Sequence, residues 1–366
     1  MHFNFIGRSN LKVSIIGLGL IGGSIAKSLR KSAAGFTISA WDMDEVLDKA
    51  LKERAIDVKL RSMEDSLSSE VIFLCLPVEE SLKAFEALAP KLKKGALITD
   101  VCGIKGRFED LWKSLESSGT YIGGHPMTGK EKGGFINSDP LLFENAVYIV
   151  SERGKNTPEM KKFLDMLAIL GARPVYLDPY VHDRVVANVS HLPQLLSVAL
   201  VNTVAKNSSG VNNLDFAAGG FRDMTRIASS SFNIWKDVVR LNKKEIMTAL
   251  DQFILELGIM RNEIEREEST ALASSFESSK DSRERIPKVN KGFITPLFYI
   301  SVFIKDEPGS ISRISSALFE ESINIKDIEL LKFREGTGGT FQIAFESESE
   351  SIRAAQILRN AGLEVY

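Results

Sequence analysis

The stretch Lys12–Gly22 reads KVSIIGLGLIG and decides the fold of the first half of this chain. Its opening run, Lys12–Ile16, is short, apolar and rich in β-branched residues, which is typical of a buried parallel strand. Gly17, Gly19 and Gly22 follow at once and open a helix-like segment, the context in which this glycine spacing binds a dinucleotide. We expect Gly17 to permit the tight turn, Gly19 to admit the pyrophosphate and Gly22 to let the helix pack closely on the strand.

The choice of cofactor is predicted from Asp42, which ends the second predicted strand, 20 residues after Gly22. A carboxylate at that position accepts hydrogen bonds from the ribose diol and repels a 2′-phosphate, so it favours NAD over NADP. Leu76 and Pro77 end a later strand at the same edge of the sheet. The residues predicted from this pattern to contact NAD are Gly17, Leu18, Gly19, Leu20, Ile21, Gly22, Asp42, Leu76 and Pro77.

Strand-like and helix-like segments alternate through residues 1–177, which predicts a Rossmann-like, doubly wound parallel sheet in an NAD-binding domain. Further strands are predicted at Thr37–Trp41, Val71–Leu76, Ala96–Asp100, Tyr121–Gly123, Val147–Val150 and Arg173–Leu177. Helices are predicted at Gly22–Ser32, Glu79–Leu92 and Lys105–Glu116.

The pattern changes in residues 178–283, where a helical spacing of apolar residues replaces the alternation. Long helices are predicted at Asp183–Lys206 and Lys236–Glu268, and Val198–Val204 carries more apolar residues than one helical face needs. We therefore predict an all-α domain that binds substrate and forms a homodimer through these helices. The alternative is a helical domain that packs only on its own NAD-binding domain.

The last part of the chain is predicted to form a separate small domain. Residues 284–295 are predicted to be a linker, within a stretch rich in charged residues and serine. In residues 296–366 the predicted order is strand, helix, strand, strand, helix, strand. This α+β arrangement of about 70 residues is long enough to fold alone.

Composition excludes several classes of protein. Hydrophobic residues make up 44% of the chain and charged residues 26%, and the net charge of −2 provides no basic surface for nucleic acid or an anionic membrane. No apolar run reaches the roughly 18 residues needed to span a bilayer, so we expect a cytoplasmic protein. Cys75 and Cys102 are the only cysteines, and their spacing indicates neither a disulfide framework nor a metal site.

The segment Gly123–Glu131 is predicted to be a loop made rigid by glycine and proline, and it carries the strongest indication of chemistry. It follows the glycine motif by about a hundred residues, where a bound nicotinamide ring is expected. Its His125 carries an imidazole, which can accept a proton near neutral pH without large tuning. A histidine that only caps a turn is the alternative for this residue taken alone.

Four segments in this order make the chain resemble the prephenate and arogenate dehydrogenases of tyrosine biosynthesis over nearly its whole length. They are Gly17–Gly23, Gly123–Pro126, Ser190–Pro193 and Gly219–Ala228. In this family a hydride passes from the hydroxyl-bearing ring carbon to NAD⁺, the ring carboxylate leaves as CO₂ and the ring becomes aromatic. The resemblance implies oxidation of prephenate to 4-hydroxyphenylpyruvate, with arogenate, which gives tyrosine directly, as the alternative substrate.

The resemblance also implies roles for single residues. His125 resembles the catalytic group that accepts a hydrogen bond from the substrate hydroxyl, and Arg226 the cation that binds the side-chain carboxylate. Asp223 and Glu131 resemble an ionic network that gates the site. The positions that resemble the family's substrate contacts are Ser190, His191, Gln194 and Trp235.

Simpler interpretations of several of these residues stay open. Asp223 and Arg226 have the spacing of an exposed helical ion pair, which contributes little. His191 and Trp235 are also compatible with ordinary core positions. His182 has no catalytic argument and is expected, with the residue after it, to help start a helix.

Two positions depart from the family pattern. Many relatives carry a serine beside the nicotinamide, within a Thr-Asp-x-x-Ser segment, where this chain has Gly103. We expect Gly103 to contact the cofactor without that hydroxyl. Many relatives also carry a second histidine where this chain has Gln194, which donates and accepts hydrogen bonds but carries no charge. These departures leave both prephenate and arogenate open.

The C-terminal domain resembles an ACT domain, a module that commonly binds amino acids, through the turn Asp306–Gly309 before its first helix. Since tyrosine ends the pathway, the resemblance implies tyrosine as an effector, bound near Asp306, Gly309 and Asn324. A domain that only strengthens dimerisation is the alternative.

Two other classes of protein are compatible with parts of the chain. A non-catalytic sensor of dinucleotide and amino acid could use the same domains, but it would need neither His125 nor Arg226. A β-hydroxyacid dehydrogenase would carry a catalytic lysine on a helix of the second domain. Neither Lys206 nor Lys236 lies in a convincing motif of that kind.

Overall fold

The computed structural model describes residues 11–32, 35–130, 132–152, 157–206, 210–286, 297–334 and 337–366. The chain divides into two compact units, Met1–Ser274 and Ser275–Tyr366. Residues 287–295 of the predicted linker and Glu131 of the predicted gating network lie outside the described residues. The predicted boundaries between residues 177 and 178, 283 and 284, and 295 and 296 stay predictions.

An eight-stranded sheet forms the first part of unit 1, Met1–Ser274. Its strands are β1 Leu11–Ile16, β2 Phe36–Trp41, β3 Val58–Lys59, β4 Val71–Leu74, β5 Leu97–Asp100, β6 Thr120–Pro126, β7 Val147–Ser151 and β8 Arg173–Leu177. The helices between them are α1 Leu20–Lys31, α2 Asp44–Lys52, α3 Val78–Leu88, α4 Gly106–Ser114 and α5 Pro158–Ile169. The strand order β3-β2-β1-β4-β5-β6-β7-β8 confirms the doubly wound sheet, whose switch point between β1 and β4 is where such sheets bind dinucleotides.

The doubly wound sheet is mixed, so the predicted parallel pairing is wrong for one pair of strands. β7 runs antiparallel to β6, although β7 and β8 are parallel again. Among the described residues between β6 and β7 the only helical element is a 3₁₀ turn, Phe135–Asn137, and antiparallel neighbours need no crossover helix. Pairing with β7 extends β6 to Pro126. His125 therefore lies in a strand opposite Ile149, and not in a loop as predicted.

Buried side chains cover both faces of the sheet, as strands packed between two layers of helices require. Val13 and Ile15 belong to the cluster on one face, while Ile16 belongs to the cluster on the other. Phe85 meets the ring of Tyr121 edge to face, with 4.7 Å between ring centroids. Full burial of one such side chain stabilises the fold by about 1.5–3 kcal/mol. This core fixes the carboxyl ends of the strands in space.

The helical region begins with one continuous helix that changes its winding. It comprises α6 Pro179–Val186, a π-helical turn Ala187–His191 and α7 Leu192–Ala205. At the turn the Leu192 N–H donates to the carbonyl of Ala187, five residues back. Pro193 follows directly and lacks an N–H, so the wider turn accommodates a residue that disrupts a regular helix. The predicted helix Asp183–Lys206 is thus confirmed, but it begins earlier, at Pro179, and contains the π-helical turn.

The second predicted long helix is divided in two at Asn242. The helices that follow α7 are α8 Gly219–Thr225, α9 Phe232–Leu241, α10 Lys243–Glu265 and α11 Ser269–Glu284. Asn242 lies between α9 and α10 with a conformation outside the helical range, and its side chain is buried in the site described below.

Unit 2, Ser275–Tyr366, contains the predicted strand and helix order. Its elements are β9 Phe298–Ile304, α12 Ser310–Glu320, β10 Asp327–Arg334, β11 Gly338–Phe345, α13 Glu348–Asn360 and β12 Glu364–Val365. The strands form an antiparallel sheet in the order β10-β11-β9-β12, which is the split βαβ arrangement. A core of its own, including Val302, Ile314 and Phe345, packs between this sheet and the two helices.

Candidate active site

The glycine loop between β1 and α1 has the shape that a dinucleotide needs. Gly17 has a φ of +97°, and a Cβ there would lie 2.8 Å from the carbonyl carbon and oxygen of Cys75. A Cβ on Gly22 would overlap the carbonyl oxygen of Gly17. A Cβ on Gly19 would meet nothing within 4 Å, so the space in front of the loop is open. The N–H groups of the first turn of α1 lack intrahelical partners and point into this space, where they suit a pyrophosphate.

Asp42 lies at the end of β2 and is bonded to the same loop. Its carboxylate accepts hydrogen bonds from the Leu18 N–H at 2.5 Å and the Met43 N–H at 2.6 Å. This negative group at the carboxyl edge of β2 fits a ribose diol and opposes a 2′-phosphate. The Leu18 side chain is buried in the core, so only its backbone faces the loop.

The other residues predicted to contact the cofactor lie along the same edge. Leu20 and Ile21 form the first turn of α1 and are half-buried. Leu76 is half-buried and Pro77 exposed where β4 leads into α3. Gly103 lies after β5, and a Cβ there would lie 3.8 Å from both Cε1 and Nε2 of His125. The structure thus brings Gly103 and His125 together.

His125 is joined to a second histidine that we did not predict to be functional. Its Nδ1 lies 2.8 Å from Nε2 of His182, and Nδ1 of His182 lies 2.8 Å from Oδ1 of Asp183. Asp183 also accepts the backbone N–H groups of Lys105 at 2.7 Å and Gly106 at 2.8 Å, so it caps α4. The expectation that His182 and Asp183 start their own helix is wrong, because the Asp178 side chain caps α6.

The histidines of the site are neutral at physiological pH. Burial, then the neighbouring His182, Lys105 and His191, lowers the pKa of His125 well below its ordinary 6.5. Burial also lowers the pKa of His182, against the opposing hydrogen bond to Asp183. Burial lowers the pKa of His191 to about 4. A neutral imidazole at His125 retains one nitrogen that can accept a proton.

A buried ion pair lies near the two histidines. Lys105 and Asp100 form it with side chains that are 2% and 0% exposed. Asp100 also accepts hydrogen bonds from the Tyr121 hydroxyl at 2.9 Å and the Cys102 N–H at 2.9 Å. Burial of an ion pair is tolerated when its remaining polar atoms are bonded, as they are for Asp100. Burial raises the pKa of Cys102 to about 12, so this thiol packs in the core and is no nucleophile.

His191 lies in the π-helical turn and is held by Asn242. The Asn242 amide nitrogen lies 2.9 Å from the carbonyl oxygen of Asp183 and 3.2 Å from Nδ1 of His191. A carbonyl only accepts, so the NH₂ end of the amide faces both atoms and Nδ1 of His191 is an acceptor. The proton of neutral His191 therefore lies on Nε2. Trp235 meets the His191 ring edge to face, with centroids 5.8 Å apart.

The predicted carboxylate-binding segment is more exposed. Gln194 is buried in α7 and its amide donates to the Ile227 carbonyl at 3.0 Å, which ties α7 to the 3₁₀ turn Arg226–Ser229. Arg226 and Asp223 are both exposed, and Ser190 is half-buried in the π-helical turn. Of the predicted substrate contacts, His191 lies against Trp235 and Asn242, and Gln194 is bonded to the Arg226 turn; their roles toward the substrate stay predictions. Sequence order missed His182, Asp183 and Asn242.

The helix Pro179–Ala205 is long and apolar enough to cross a membrane by length and composition alone. In this structure it carries His182, His191 and Gln194, whose side chains are buried inside unit 1. We therefore interpret it as a site helix of the folded unit.

The residues predicted to bind an effector lie in unit 2. Gly309 is the N-cap of α12, with a φ of +90°, and Asp306 lies in the turn before it. Asn324 is exposed in the loop after α12.

Comparisons with known proteins agree with this geometry. Residues 25–176 match the family described as prephenate dehydrogenase, nucleotide-binding domain, and residues 178–278 match prephenate dehydrogenase, dimerization domain. The prephenate dehydrogenase of Bacillus subtilis (strain 168) is 35% identical over 94% of this chain and 95% of its own length.

Solved structures give the same relationship. The prephenate dehydrogenase of A. aeolicus, in complex with hydroxyphenyl propionate and NAD⁺, matches with a TM-score of 0.70 and 32% identity, covering 77% of this chain and 99% of that one. The arogenate dehydrogenase of Synechocystis matches with a TM-score of 0.66 and 27% identity, covering 75% and 99%. With the glycine loop, Asp42 and His125 in place, the chain belongs to the prephenate dehydrogenase family.

Proposed function

We propose that this protein catalyses the NAD-dependent oxidative decarboxylation of prephenate to 4-hydroxyphenylpyruvate in tyrosine biosynthesis. The observation that carries the proposal is the state of His125. Its imidazole is neutral, one ring nitrogen is bonded to His182, and the other lies beside Gly103, which follows the carboxyl end of β5. Such a group accepts a proton from a substrate hydroxyl.

The path of the hydroxyl proton through the reaction supports this role. Bound NAD⁺ supplies the acceptor for the hydride that leaves the ring carbon. As that carbon becomes carbonyl-like, its hydroxyl proton moves to Nε2 of His125. Loss of CO₂ leaves the electrons of the broken carbon–carbon bond in the ring and makes the oxygen a phenolate. The phenolate then takes the same proton back from His125. His125 thus holds one proton during the reaction and releases none to solvent.

The remaining predicted residues surround the substrate in this proposal. Arg226 binds the side-chain carboxylate, and Asp223 with Glu131 gates the entrance. His191, through its Nε2 proton, and Ser190 donate hydrogen bonds to substrate oxygens, while Trp235 covers the ring. Gln194 holds the Arg226 turn through the Ile227 carbonyl at 3.0 Å.

Arogenate is the second candidate substrate. Gln194, uncharged where many relatives have histidine, and the structural likeness to an arogenate dehydrogenase favour testing it. Purified protein should be offered prephenate or arogenate, with NAD⁺ or NADP⁺, while NADH or NADPH formation is followed. We expect the highest kcat/KM with prephenate and NAD⁺. Preference for arogenate would reassign the substrate, and no turnover of either would favour a non-catalytic sensor.

We further propose that residues 296–366 act as an ACT-like regulatory domain that binds tyrosine and inhibits. The N-terminus of α12 after Asp306 and Gly309 can hold a carboxylate, and Asn324 lies in the next loop. Inhibition from a separate site needs a coupling of about 1–3 kcal/mol between tyrosine and substrate. A chain ending at Lys291 should keep turnover and lose most of its sensitivity to tyrosine. Full inhibition of that shorter chain would place tyrosine at the active site.

We also propose a cytoplasmic homodimer that binds neither nucleic acid nor membrane. Large apolar side chains of α10, namely Ile254, Leu255, Leu257, Ile259 and Ile264, are 44–67% exposed. An apolar surface of this kind on one helix indicates a partner. Sedimentation should give the mass of two chains, and replacement of Leu255 by Asp should shift the equilibrium toward one.

A further inference from the structure

We propose that His182 is a positioning residue that holds His125 with its proton on Nδ1, and that Asp183 orients His182 for this task. The inference rests on the proposed function, in which His125 must present a bare nitrogen to the substrate. The sequence suggested no such role for His182.

The direction of each hydrogen bond follows from Asp183. Both of its carboxylate oxygens already accept backbone N–H groups, those of Lys105 and Gly106. A carboxylate in this position acts as an acceptor, so Nδ1 of His182 donates to Oδ1 across 2.8 Å. Because a neutral imidazole has only one proton, Nε2 of His182 is then an acceptor.

The same reasoning assigns the proton of His125 to one of its ring nitrogens. The ring nitrogen that faces Nε2 of His182 is Nδ1 of His125, at 2.8 Å, so Nδ1 carries the proton. Nε2 of His125 is left with its lone pair, on the side where a Cβ at Gly103 would lie 3.8 Å away. The position of Asp183 thereby selects the one tautomer of His125 that can accept the substrate proton.

This relay of His125, His182 and Asp183 also stabilises the charge that appears during the reaction. When Nε2 of His125 takes the hydroxyl proton, the proton on Nδ1 can shift to Nε2 of His182. His182 is then an imidazolium against the Asp183 carboxylate, and the pair has gained one proton in total. When the phenolate takes its proton back from Nε2, the Nδ1 proton returns, so both residues end as they began.

Protonation from solvent has the opposite effect on activity. The charged or titratable groups that face the pair are Asp183 on α6, Asp100 at the end of β5, Lys105 directly before α4, and His191 in the π-helical turn. Of His125, His182 and His191, His182 is the one that is hydrogen-bonded to a carboxylate in the described part of the chain, so it takes the first proton. Protonated His182 then donates to Nδ1 of His125 and moves the remaining His125 proton to Nε2, which abolishes the acceptor. Protonation of His182 therefore causes the fall of kcat at acid pH, the acid limb of the pH profile.

Two replacements of His182 separate positioning from packing. His182→Gln offers a side-chain carbonyl that can still accept from Nδ1 of His125, whereas His182→Leu fills the space without an acceptor. Tyr180→Phe is the matched control, since Tyr180 lies on the same helix and bonds only outside the site, to Asp110 at 2.6 Å and Lys113 at 3.3 Å. Each variant should be compared with the wild type for kcat and KM across acid and neutral pH.

We expect His182→Leu to lose about 10²-fold in kcat with KM changed by less than about threefold, because a wrong tautomer removes general-base catalysis. His182→Gln should remain within about tenfold of the wild type, with an acid limb shifted to lower pH because the Asp183-supported proton site is gone. Tyr180→Phe should match the wild type. Equal losses in the Leu and Gln variants, or an unmoved acid limb in the Gln variant, would overturn the relay.

A second measurement tests the tautomer without turnover. The chain has four histidines, so selective ¹⁵N labelling of histidine gives few side-chain signals, which single substitutions assign. Wild-type His125 should show a protonated Nδ1 and a bare Nε2, and His182→Leu should move the proton to Nε2 in a large share of molecules. A bare Nδ1 in the wild type would contradict the relay. If the wild type turned over neither substrate, the proposed function would fail while this measurement still decided the tautomer.

Discussion

The two sides of the candidate site differ in how their side chains are held. On the side of the sheet, His125 and His182 are connected to Asp183, which is bonded to the backbone at the start of α4. On the side that we propose to bind the substrate carboxylate, neither α8 nor the turn Arg226–Ser229 contains a buried residue, within the described part of the chain. The proposed proton acceptor is therefore held in place before substrate binds, whereas the proposed carboxylate-binding segment lies on exposed backbone.

This difference predicts that chemistry and binding separate in mutant kinetics. Loss of a group that acts mainly in the transition state lowers kcat, whereas loss of a group that binds substrate and transition state alike raises KM. We assign His125 to the first kind and Arg226 to the second.

The largest effect is expected from His125→Asn. The amide keeps a hydrogen-bonding side chain but cannot take a proton near neutral pH, so kcat should fall by roughly 10²–10⁴-fold. KM for prephenate should change little. Steady-state NADH formation measures both. A loss confined to KM would make His125 a binding residue and remove the distinction between the two sides.

Arg226→Ala should raise KM and leave kcat largely unchanged. The substrate carboxylate loses its counter-charge, and because Arg226 is exposed the cost should be about 2 kcal/mol, the lower end for such pairs, or roughly 30-fold in KM. Arg226→Lys serves as the charge-retaining control and should recover part of the loss. A near-normal KM in Arg226→Ala would leave Arg226 as a surface residue.

Asp42→Ser should alter the choice of cofactor and leave the choice of substrate unchanged. The variant loses a charged acceptor for the ribose diol and the repulsion of a 2′-phosphate, so the preference for NAD⁺ over NADP⁺ should narrow by about tenfold. Asp44→Ser, two residues along on the exposed start of α2, is the control. Equal use of both cofactors by the wild type would show that Asp42 does not set this preference.

Gly103→Ser should have the smallest effect on the pre-organised side. A serine Cβ would fit in ordinary contact with His125, and a neutral hydrogen bond contributes only about 1 kcal/mol, so kcat should change by less than about fivefold. Gly103→Ala occupies the same space without the hydroxyl and isolates its contribution. A hundredfold gain in the serine variant would mean that His182 does not hold His125 well.

Local patterns predicted the parts of the fold that depend on neighbouring residues. The glycine loop, Asp42 and the alternation of strands and helices are all short-range features, and the structure contains them. The antiparallel pairing of β6 and β7 depends on how residues 127–146 return to the sheet. Nothing in the local sequence specifies that return, so the strand that carries His125 was predicted too short.

The missed part of the site depends on long-range contacts. His125 and His182 are 57 positions apart, and Asn242 is 51 positions from His191. A histidine next to an aspartate on a helix looks like a helix start, and the true cap, Asp178, lies just before it. A signal was present in Asp178-Pro179, which already starts the helix and leaves His182 and Asp183 without a capping task.

The products formed from prephenate by the wild-type protein with NAD⁺ test the central claim most directly. If His125 accepts the hydroxyl proton while the ring is oxidised and decarboxylated, NADH and CO₂ should appear in equal amounts, with 4-hydroxyphenylpyruvate as the organic product. His125→Asn should slow both products by the same factor. NADH without CO₂, or CO₂ without NADH, would contradict the account.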